Sequence, residues 1–491
     1  MELTDLINKI YISQIVGEVQ RQDVTGIFYD SRNVTKGSVF VAIKGFKTDG
    51  HKFILDALNN GAIAVILEDN NSVPDEIFIH NRKAKILVKD SRIALAQASN
   101  YFFKEPSGSL NLIGITGTNG KTTTSYFIKS IVEQAGNKTG LIGTISNFIG
   151  SKEIKTFLTT PESNDLNALL YEMLNEGCSY TVMEVSSHSL VLKRVYGLKF
   201  STAVFTNITS DHLDFHGNFE EYFKAKKILF DSLSDSANLV YNIDDKSSVN
   251  IIKDSKAKIY SYGTQDADFQ ISNISYDLSG TTFIIRYKSH DFSISTSLVG
   301  SFNAYNAAAA FASAVLNGIN PEIAIKGIKN TKQVPGRFEV VGKGSKKVII
   351  DYSHTADSLE KALSALNNIV EDKYPVYTVF GCGGNRDKTK RPVMGRIASE
   401  LSRRIFITSD NPRNENPLDI INEIKSGIKK ENFEVIENRE EAIRKSIEET
   451  EKNAIILIAG KGHESYQEIN GIRNHFSDKE VAEKYLSHDQ N

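Results

Sequence analysis

The chain has 491 residues, of which 40% are hydrophobic and 24% charged, and its 58 basic and 60 acidic residues leave a net charge of −2. This length is too great for one hydrophobic core and predicts about three domains, while the balanced charge gives no general electrostatic reason to bind nucleic acid or an anionic membrane. Two cysteines cannot form a disulfide framework, no run approaches the length of a membrane-spanning segment, and the N-terminus lacks a basic leader. These features predict a cytoplasmic protein without membrane insertion.

The first 100 residues alternate short β-like runs with helical spacing. The β-like runs lie at residues 38–43, 62–67 and 85–88, and residues 51–60 have the period of a helix. A break containing Pro106 and Gly108 follows. We therefore expect a small α/β domain over residues 1–100.

A glycine-rich loop follows a β-like run and opens into an amphipathic helix at residues 114–124. In that setting backbone N–H groups can point at nucleotide phosphates, Lys121 can supply a point charge and the Thr122 hydroxyl can reach Mg²⁺. Ile115 stands where the usual pattern has its first glycine, so a chance glycine turn is the alternative. The predicted phosphate-binding residues are Gly117, Thr118, Asn119, Gly120, Lys121, Thr122 and Thr123.

Two further stretches of the chain have the pattern of parallel sheets. Buried-looking runs at 110–116, 180–185, 201–207 and 238–242, followed by alternating residues 269–298, predict a central P-loop ATPase-type domain over 101–332 with an inserted antiparallel portion. Runs at 347–352, 376–381, 404–409 and 453–459 predict a Rossmann-like doubly wound domain over 333–491. The predicted fold class is therefore three-domain α/β.

Polar residues at the ends of two central strands are candidate magnesium ligands. Glu184 offers a carboxylate, which suits Mg²⁺ well, whereas His212 is an unusual ligand for so hard a cation. The alternative for His212 is an ordinary loop residue.

The helix after His212 places one lysine among apolar residues. Lys226 lies in the gap of a stripe at helical spacing, whereas Lys224 and Lys227 lie off it. The stripe consists of Phe219, Tyr222, Phe223, Leu229, Phe230 and Leu233. A buried lysine is costly unless it is paired or chemically altered, so Lys226 either extends its ammonium to water or reacts with CO₂ to give a carbamate that holds Mg²⁺.

The order of these motifs resembles the Mur ligases, ATP-dependent amide-forming enzymes of peptidoglycan assembly. The resemblance extends from Tyr29-Asp-Ser-Arg32 to Gly460-Lys-Gly-His-Glu464 and includes Gly300-Ser-Phe-Asn-Ala-Tyr-Asn306 and Pro335-Gly-Arg337. It is strongest to the members that add a third amino acid to UDP-N-acetylmuramoyl-L-alanyl-D-glutamate. It implies a monomer acting on small molecules through an acyl phosphate, with ATP and Mg²⁺ as cofactors.

The resemblance also implies roles for individual residues. Catalysis would involve Lys121, Lys226 as its CO₂-derived carbamate, His212, Glu184 and Arg337, and the metal site would comprise Thr122, Glu184, His212 and Lys226. Asn303, Asn306 and Asp351 correspond to positions near adenine and ribose. Asn306 also precedes an alanine-rich run, so the alternative interpretation is that it caps a helix. The implied contacts to the UDP-muramoyl-dipeptide are Tyr29, Ser31, Phe46, Lys47, Thr48, Thr159, Thr160, Ser186 and Arg194.

The added amino acid is indicated by Asp410-Asn-Pro-Arg413. meso-Diaminopimelate carries a distal carboxylate that lysine lacks, and an arginine fork pairs bidentately with a carboxylate. This signature resembles that of the diaminopimelate-adding members. The implied contacts are Arg386, Asp410, Asn411, Pro412, Arg413, Gly460 and Glu464.

Other functions stay open from the sequence. A GTP-hydrolysing switch should carry a guanine-reading Asn-Lys-x-Asp, and residues 137–140 lack the Asp. A binding protein without catalysis would not need Lys121, Glu184, His212 and Lys226. A ligase adding L-lysine to the same acceptor, or a folylpolyglutamate synthetase, is the related alternative.

Overall fold

The computed structural model describes residues 1–46, 48–342, 346–371 and 373–488. Its strands form sheets of five, eleven and six strands that follow one another along the chain, together with a two-stranded sheet. The predicted α/β fold class is confirmed. The predicted domain limits fall between the three larger sheets and stay a prediction.

The first sheet has the order β1-β5-β4-β3-β2, with β1 antiparallel to β5 and the other neighbours parallel. Its strands are β1 (Ile12–Gly17), β2 (Ile27–Phe28), β3 (Val39–Val41), β4 (Ala64–Leu67) and β5 (Ala84–Val88), and its helices are α1 (Leu3–Ile7), α2 (Ile54–Asn59), α3 (Asp75–His80) and α4 (Ser91–Phe102). The predicted helix over 51–60 is wrong at its start. The Asp49 side chain accepts from the His51 N–H, so Gly50–Phe53 forms a 3-10 turn before α2.

The central sheet has the order β16-β15-β14-β13-β12-β11-β6-β10-β7-β8-β9. Its strands are β6 (Asn111–Thr116), β7 (Thr139–Ile142), β8 (Ser146–Ile149), β9 (Lys152–Lys155), β10 (Tyr180–Glu184), β11 (Thr202–Phe205), β12 (Asn238–Asn242), β13 (Lys258–Gly263), β14 (Phe269–Asp277), β15 (Gly280–Tyr287) and β16 (His290–Thr296). Neighbouring strands are parallel throughout the segment β14-β13-β12-β11-β6-β10-β7 of this order. The predicted antiparallel portion is present as β14–β16, and β8 and β9 form a second antiparallel extension that the sequence did not predict.

Helices cover both faces of the central sheet. They are α5 (Lys121–Gln134), α6 (Ser163–Asn175), α7 (Ser187–Val191), α8 (Leu213–His216), α9 (Phe219–Asp231), α10 (Ser248–Ile252), α11 (Ser301–Leu316) and α12 (Pro321–Asn330). One core lies between the sheet and α5, α11 and α12, and another lies on the face covered by α6, α7 and α9. Helix α11 is mostly alanine on its buried side, which lets it pack closely against both α5 and the sheet.

The third sheet has the order β17-β18-β22-β19-β20-β21 and is parallel except for β17. Its strands are β17 (Glu339–Val341), β18 (Lys347–Asp351), β19 (Val376–Phe380), β20 (Arg404–Ile407), β21 (Phe433–Val435) and β22 (Ile455–Ala459), and the hairpin β23 (Tyr466–Ile469) and β24 (Ile472–His475) follows. The helices are α13 (Ala356–Val370), α14 (Lys390–Leu401), α15 (Pro417–Lys425), α16 (Arg439–Glu448) and α17 (Asp478–His488). The loops after β18, β19, β20 and β22 leave the same edge of this sheet, as expected for a ligand site.

Candidate active site

A cleft of about 850 Å³ lies between the central and third sheets. Both sides contribute to it, because its lining includes the phosphate loop and α11 from one side and β18 and α13 from the other. It brings together the predicted residues Thr118, Asn119, Gly120, Lys121, Thr122, Thr123, Thr159, Glu184, Ser186, His212, Lys226, Asn303, Asn306, Arg337 and Asp351. The cleft therefore collects most of the candidate nucleotide, metal and catalytic residues.

The phosphate loop runs from β6 into α5, as predicted. Gly117 and Gly120 have φ of +155° and +89°, and a Cβ at Gly120 would lie 2.4 Å from Asn306 Oδ1, so only glycine fits there. Lys121 Nζ donates to the Gly117 and Thr118 carbonyls at 2.9 and 3.0 Å. Burial lowers the pKa of the Lys121 ammonium.

Glu184 is buried at the end of β10, where three donors surround its carboxylate. The Thr122 hydroxyl donates to Oε2 at 3.0 Å, and Thr144 donates through its N–H to Oε1 and through its hydroxyl to Oε2, each at 2.9 Å. The carboxylate thus directly contacts the first turn of the phosphate-loop helix. Within the described residues, no group of three or more His, Cys, Asp or Glu side chains is arranged to hold a metal ion.

Lys226 is buried with 1% of its surface exposed, as the apolar stripe predicted. Its Nζ donates to the Gly117 carbonyl at 2.8 Å and lies 4.7 Å from the centre of the Tyr222 ring. Burial, and after it the nearby Lys121, lower the pKa of the Lys226 amine well below its usual value. The alternative in which this lysine extends to water is wrong.

The other members of the stripe differ from the prediction at one end. Phe219 is 41% exposed, because the chain has only just entered α9 there, and Ala225 belongs to the buried face instead. Lys224 pairs with Glu221 at the surface, as expected for a residue off the stripe.

His212 lies at the start of α8 with φ of +54°. Its ring packs edge-on against His188 with 4.9 Å between centroids, and its Nε2 lies 3.4 Å from Asp211 Oδ2. Burial lowers the pKa of the His212 imidazole to about 3, so the ring is neutral at pH 7. A neutral ring leaves one nitrogen able to accept a proton or bind a metal ion.

The residues predicted to lie near adenine and ribose are found on α11 and at the start of the third sheet. Asn306 Nδ2 donates to Asn303 Oδ1 at 3.0 Å, and Asn303 Nδ2 donates to the Val299 carbonyl at 2.9 Å. The alternative of Asn306 as a helix cap is wrong, because α11 already begins at Ser301. Burial raises the pKa of Asp351, which accepts from the Phe338 N–H at 2.7 Å.

Arg337 reaches across the cleft. Its Nη2 lies 3.3 Å from the Thr122 hydroxyl, and its guanidinium stacks on Tyr352 at 4.4 Å from the ring centre. Asn119 makes a second crossing, donating to Asp357 Oδ2 at 2.9 Å. The phosphate loop and the helix after it therefore make two direct contacts with the third part of the chain.

The residues implied for the sugar nucleotide lie mainly outside this cleft. Tyr29 donates to Asp165 Oδ2 at 2.6 Å, and buried Ser31 begins a 3-10 turn whose cap is Asp30. Phe46 is 75% exposed and packs edge-on against Phe215. Thr48 accepts from the Gly45 N–H through its carbonyl, and Lys47 lies outside the described residues.

The residues implied for the peptide form a connected set near Glu184. The Thr159 hydroxyl contacts that of Thr144 at 3.1 Å, and the Thr160 hydroxyl donates to the Glu184 carbonyl at 2.8 Å. Ser186 caps α7, and Arg194 Nη1 donates to the Thr160 carbonyl at 3.0 Å. This set joins the cleft to the first sheet.

The residues implied for diaminopimelate converge at the edge of the third sheet. Asn411 Nδ2 donates to Glu464 Oε2 at 2.8 Å, and Arg413, with φ of +53°, donates through Nη1 to the Gly384 carbonyl at 2.7 Å. Gly460 has φ of +115°, and a Cβ there would lie 2.7 Å from Asp410 Oδ2.

The same edge includes Pro412, whose carbonyl packs against the Cα of Gly384 so closely that a Cβ there would lie 1.9 Å from it. Arg386 reaches back to the central part, where its Nη1 lies 3.4 Å from Asp214 Oδ2. These residues do not line the 850 Å³ cleft.

Three residues at the site were not predicted. Thr144 follows β7, Asp211 lies between His212 and His354 at 3.4 and 3.8 Å, and fully buried Lys461 donates to Asn411 Oδ1 and Glu464 Oε2, each at 3.1 Å. Their common signal is position, because each lies in a loop that follows a strand at its carboxyl end.

The chain matches three family models in order. They are described as Mur ligase family, catalytic domain (residues 23–103), Mur ligase middle domain (115–314) and Mur ligase, glutamate ligase domain (336–462). The UDP-N-acetylmuramoyl-L-alanyl-D-glutamate–2,6-diaminopimelate ligase 1 of Clostridium acetobutylicum is 42% identical over 99% of both chains. The corresponding ligase of Clostridioides difficile is 43% identical over 99% of this chain and 100% of its own.

Solved structures agree with these matches. A structure of UDP-N-acetylmuramoyl-L-alanyl-D-glutamate–2,6-diaminopimelate ligase has a TM-score of 0.70 and 31% identity, covering 100% of this chain and 99% of its own. The MurF ligase of Thermotoga maritima in complex with ADP, at 20% identity, shares the fold with a TM-score of 0.64 over 94% of this chain and 98% of its own. The chain therefore belongs to the Mur ligase family.

Proposed function

We propose that this protein is an ATP-dependent ligase of peptidoglycan biosynthesis that joins meso-diaminopimelate to UDP-N-acetylmuramoyl-L-alanyl-D-glutamate. The observation that carries the proposal is the full-length similarity to ligases of that name. The cleft supports it, because a phosphate loop, a buried carboxylate and an arginine face one space. Among the described residues no helix has the length and apolarity to span a bilayer. We propose that the protein acts on these small-molecule substrates in the cytoplasm, as a monomer.

The reaction proceeds in two transfers. The γ-carboxylate of the D-glutamyl residue attacks the γ-phosphorus of ATP, and the bond from that phosphorus to the bridging oxygen breaks to release ADP. The amine of diaminopimelate then attacks the acyl phosphate carbon, loses a proton, and phosphate leaves from the tetrahedral intermediate. Lys121 and Arg337 lie where they can offset the charge of the phosphoryl group, which is the main requirement of phosphoryl transfer.

The chemistry of the donor set fits Mg²⁺. Thr122 offers a hydroxyl and Glu184 a carboxylate within 3.0 Å of each other, and the neutral ring of His212 lines the same cleft. When bound, the ion would neutralise negative charge on the phosphates.

We propose that Lys226 completes this site as a carbamate. Its amine would add to CO₂, forming the N–C bond and releasing one proton, and its neutral form is favoured by burial and by the charge of Lys121, which lies at the same Gly117 carbonyl. Lys226→Ala should be inactive and partly rescued by acetate, which replaces the carboxylate. Lys224→Ala is the matched control and should be nearly silent, and an unmodified Lys226 amine in the intact mass of active enzyme would refute the carbamate.

The identity of the added amino acid can be tested through the selectivity of the loops that follow the strands of the third sheet. We expect a preference for meso-diaminopimelate over L-lysine on the order of 10⁴, because L-lysine lacks the distal carboxylate and leaves the free edge of the Arg413 fork without an anionic partner. One edge of Arg413 is fixed on the Gly384 carbonyl, which presents the rest of the fork to a distal carboxylate.

The experiment is phosphate release with UDP-muramoyl-dipeptide and each amino acid. Arg413→Ala should lower kcat/KM for diaminopimelate, with KM for ATP unchanged and lysine turnover not falling in parallel. Arg473, which is exposed and pairs with Glu468, provides the control Arg473→Ala. Equal use of both amino acids by the wild type would show that the distal carboxylate is recognised elsewhere, and a preference for L-lysine would assign the L-lysine-adding reaction.

A further inference from the structure

A buried carboxylate lies between the first sheet and the peptide side of the site. Glu162 is 8% exposed and precedes α6. Its Oε2 lies 3.3 Å from Arg92 Nη1 of α4 and 3.3 Å from Arg194 Nε, while its Oε1 accepts from the Ser163 N–H at 3.1 Å. One carboxylate therefore pairs with two guanidinium groups.

The contacts of Arg194 fix two of its three nitrogens. Nε is held by Glu162, and Nη1 donates to the Thr160 carbonyl at 3.0 Å. In the part of the chain that the structure describes, Nη2 has no hydrogen-bond partner, so one edge of the planar fork is available. A planar fork with a free edge suits an anion.

The position of Arg194 indicates which anion it meets. The Thr160 hydroxyl donates to the Glu184 carbonyl, and the Glu184 side chain contacts Thr122 of the phosphate loop. The proposed acceptor carries a diphosphate and, on its D-glutamyl residue, one carboxylate that reacts and one that stays free. The reacting carboxylate must approach the phosphate loop, so the free carboxylate of the same residue is the nearer anion.

We infer that Glu162 is a positioning residue for this substrate. It holds the Arg194 guanidinium so that Nη2 meets the free carboxylate of the D-glutamyl residue, and through Arg92 it fixes this arrangement to the first sheet. The inference rests on the proposed function. Its physical basis is that a charge-assisted contact orients a long side chain that would otherwise sample several rotamers.

The test is a double-mutant cycle of Glu162→Gln and Arg194→Ala, read with two acceptors. One is UDP-muramoyl-L-alanyl-D-glutamate, and the other has its free α-carboxylate converted to an amide. Glu162→Gln should raise KM for the acceptor with the free α-carboxylate about tenfold, since it weakens a charge-assisted contact. It should leave kcat and KM for ATP near wild type. The amide acceptor should be nearly unaffected, and Glu162→Gln should add nothing once Arg194 is alanine.

The control is Glu172→Gln, which removes an exposed carboxylate from α6, the helix that follows Glu162. Glu162→Asp, which retains the charge at shorter reach, should give an intermediate KM. An undiminished effect of Glu162→Gln in the Arg194→Ala background would overturn the inference, as would equal losses for both acceptors, which would assign Arg194 to the diphosphate.

Calorimetric binding of the two acceptors repeats the cycle without turnover. If the wild type released no phosphate with diaminopimelate, the proposed function would fail. Coupling of the two substitutions in acceptor binding would still support the positioning role, and its absence would overturn that role.

Discussion

Breaking the ion pair between Arg439 and Asp478 should destabilise the third sheet. Both side chains are 0% exposed, and their contacts are bidentate, with Nε to Oδ1 at 2.7 Å and Nη2 to Oδ2 at 2.8 Å. Asp478→Asn leaves the guanidinium buried beside a neutral amide, which costs about 3–5 kcal/mol. For a cooperative unit of this size, that energy corresponds to a fall in melting temperature of roughly 6–20 °C.

The same pair supports the predicted amino-acid site. Arg439 Nη2 also donates to the Ala459 carbonyl at 3.0 Å, and Nη1 lies 3.5 Å from the Ser409 carbonyl. These carbonyls immediately precede Gly460 and Asp410, so we also expect a higher KM for diaminopimelate with KM for ATP unchanged.

Scanning calorimetry measures the first effect, and hydrogen exchange of peptides from β18 and β22 assigns the transition to the third sheet. Arg444→Ala is the matched control, because it removes an exposed arginine from the same helix and should change little. Pairing Arg439→Met with Asp478→Leu should recover most of the stability, since an apolar pair leaves no buried charge. An unchanged melting temperature for Asp478→Asn would refute the reasoning.

Two further predictions concern single side chains. Lys121→Ala should lower kcat by a factor on the order of 10³ because it removes a charge facing the phosphoryl group; its melting temperature should stay near that of the wild type, and near-normal ADP formation would contradict the phosphate-loop assignment. Burial raises the pKa of the Cys382 thiol to about 12, so at pH 8 the reactive thiolate is almost absent in the folded protein. Iodoacetamide should therefore modify Cys382 only after unfolding, as read by intact mass, and rapid labelling of the native protein would show that the thiol is accessible.

Periodicity predicted the burial of Lys226 but not its partner. Helical spacing is a local property, so one face of α9 could be recognised from the sequence. The contact of Lys226 with the Gly117 carbonyl joins residues 109 positions apart, and it depends on how α9 packs beside the phosphate loop. Sequence spacing contains no information about that approach.

The unpredicted extension β8–β9 shows a second limit. β9 is exposed and contains Lys152, Glu153 and Lys155, as an edge strand that resists further pairing commonly does. Such a strand lacks the apolar alternation by which strands are recognised. Glu162 gave no signal for a different reason, because its two arginine partners lie 70 positions before it and 32 after it.

The core of the third sheet continues into the residues that precede it. Val299 is buried within this core, Phe302 packs against it, and the Phe302 ring meets Phe338 edge-on with 5.6 Å between centroids. A fragment beginning at the predicted limit of residue 333 would lack both Val299 and Phe302 and would expose the apolar surface that they cover. Such a fragment should be recovered as aggregates, whereas the full chain keeps this surface covered.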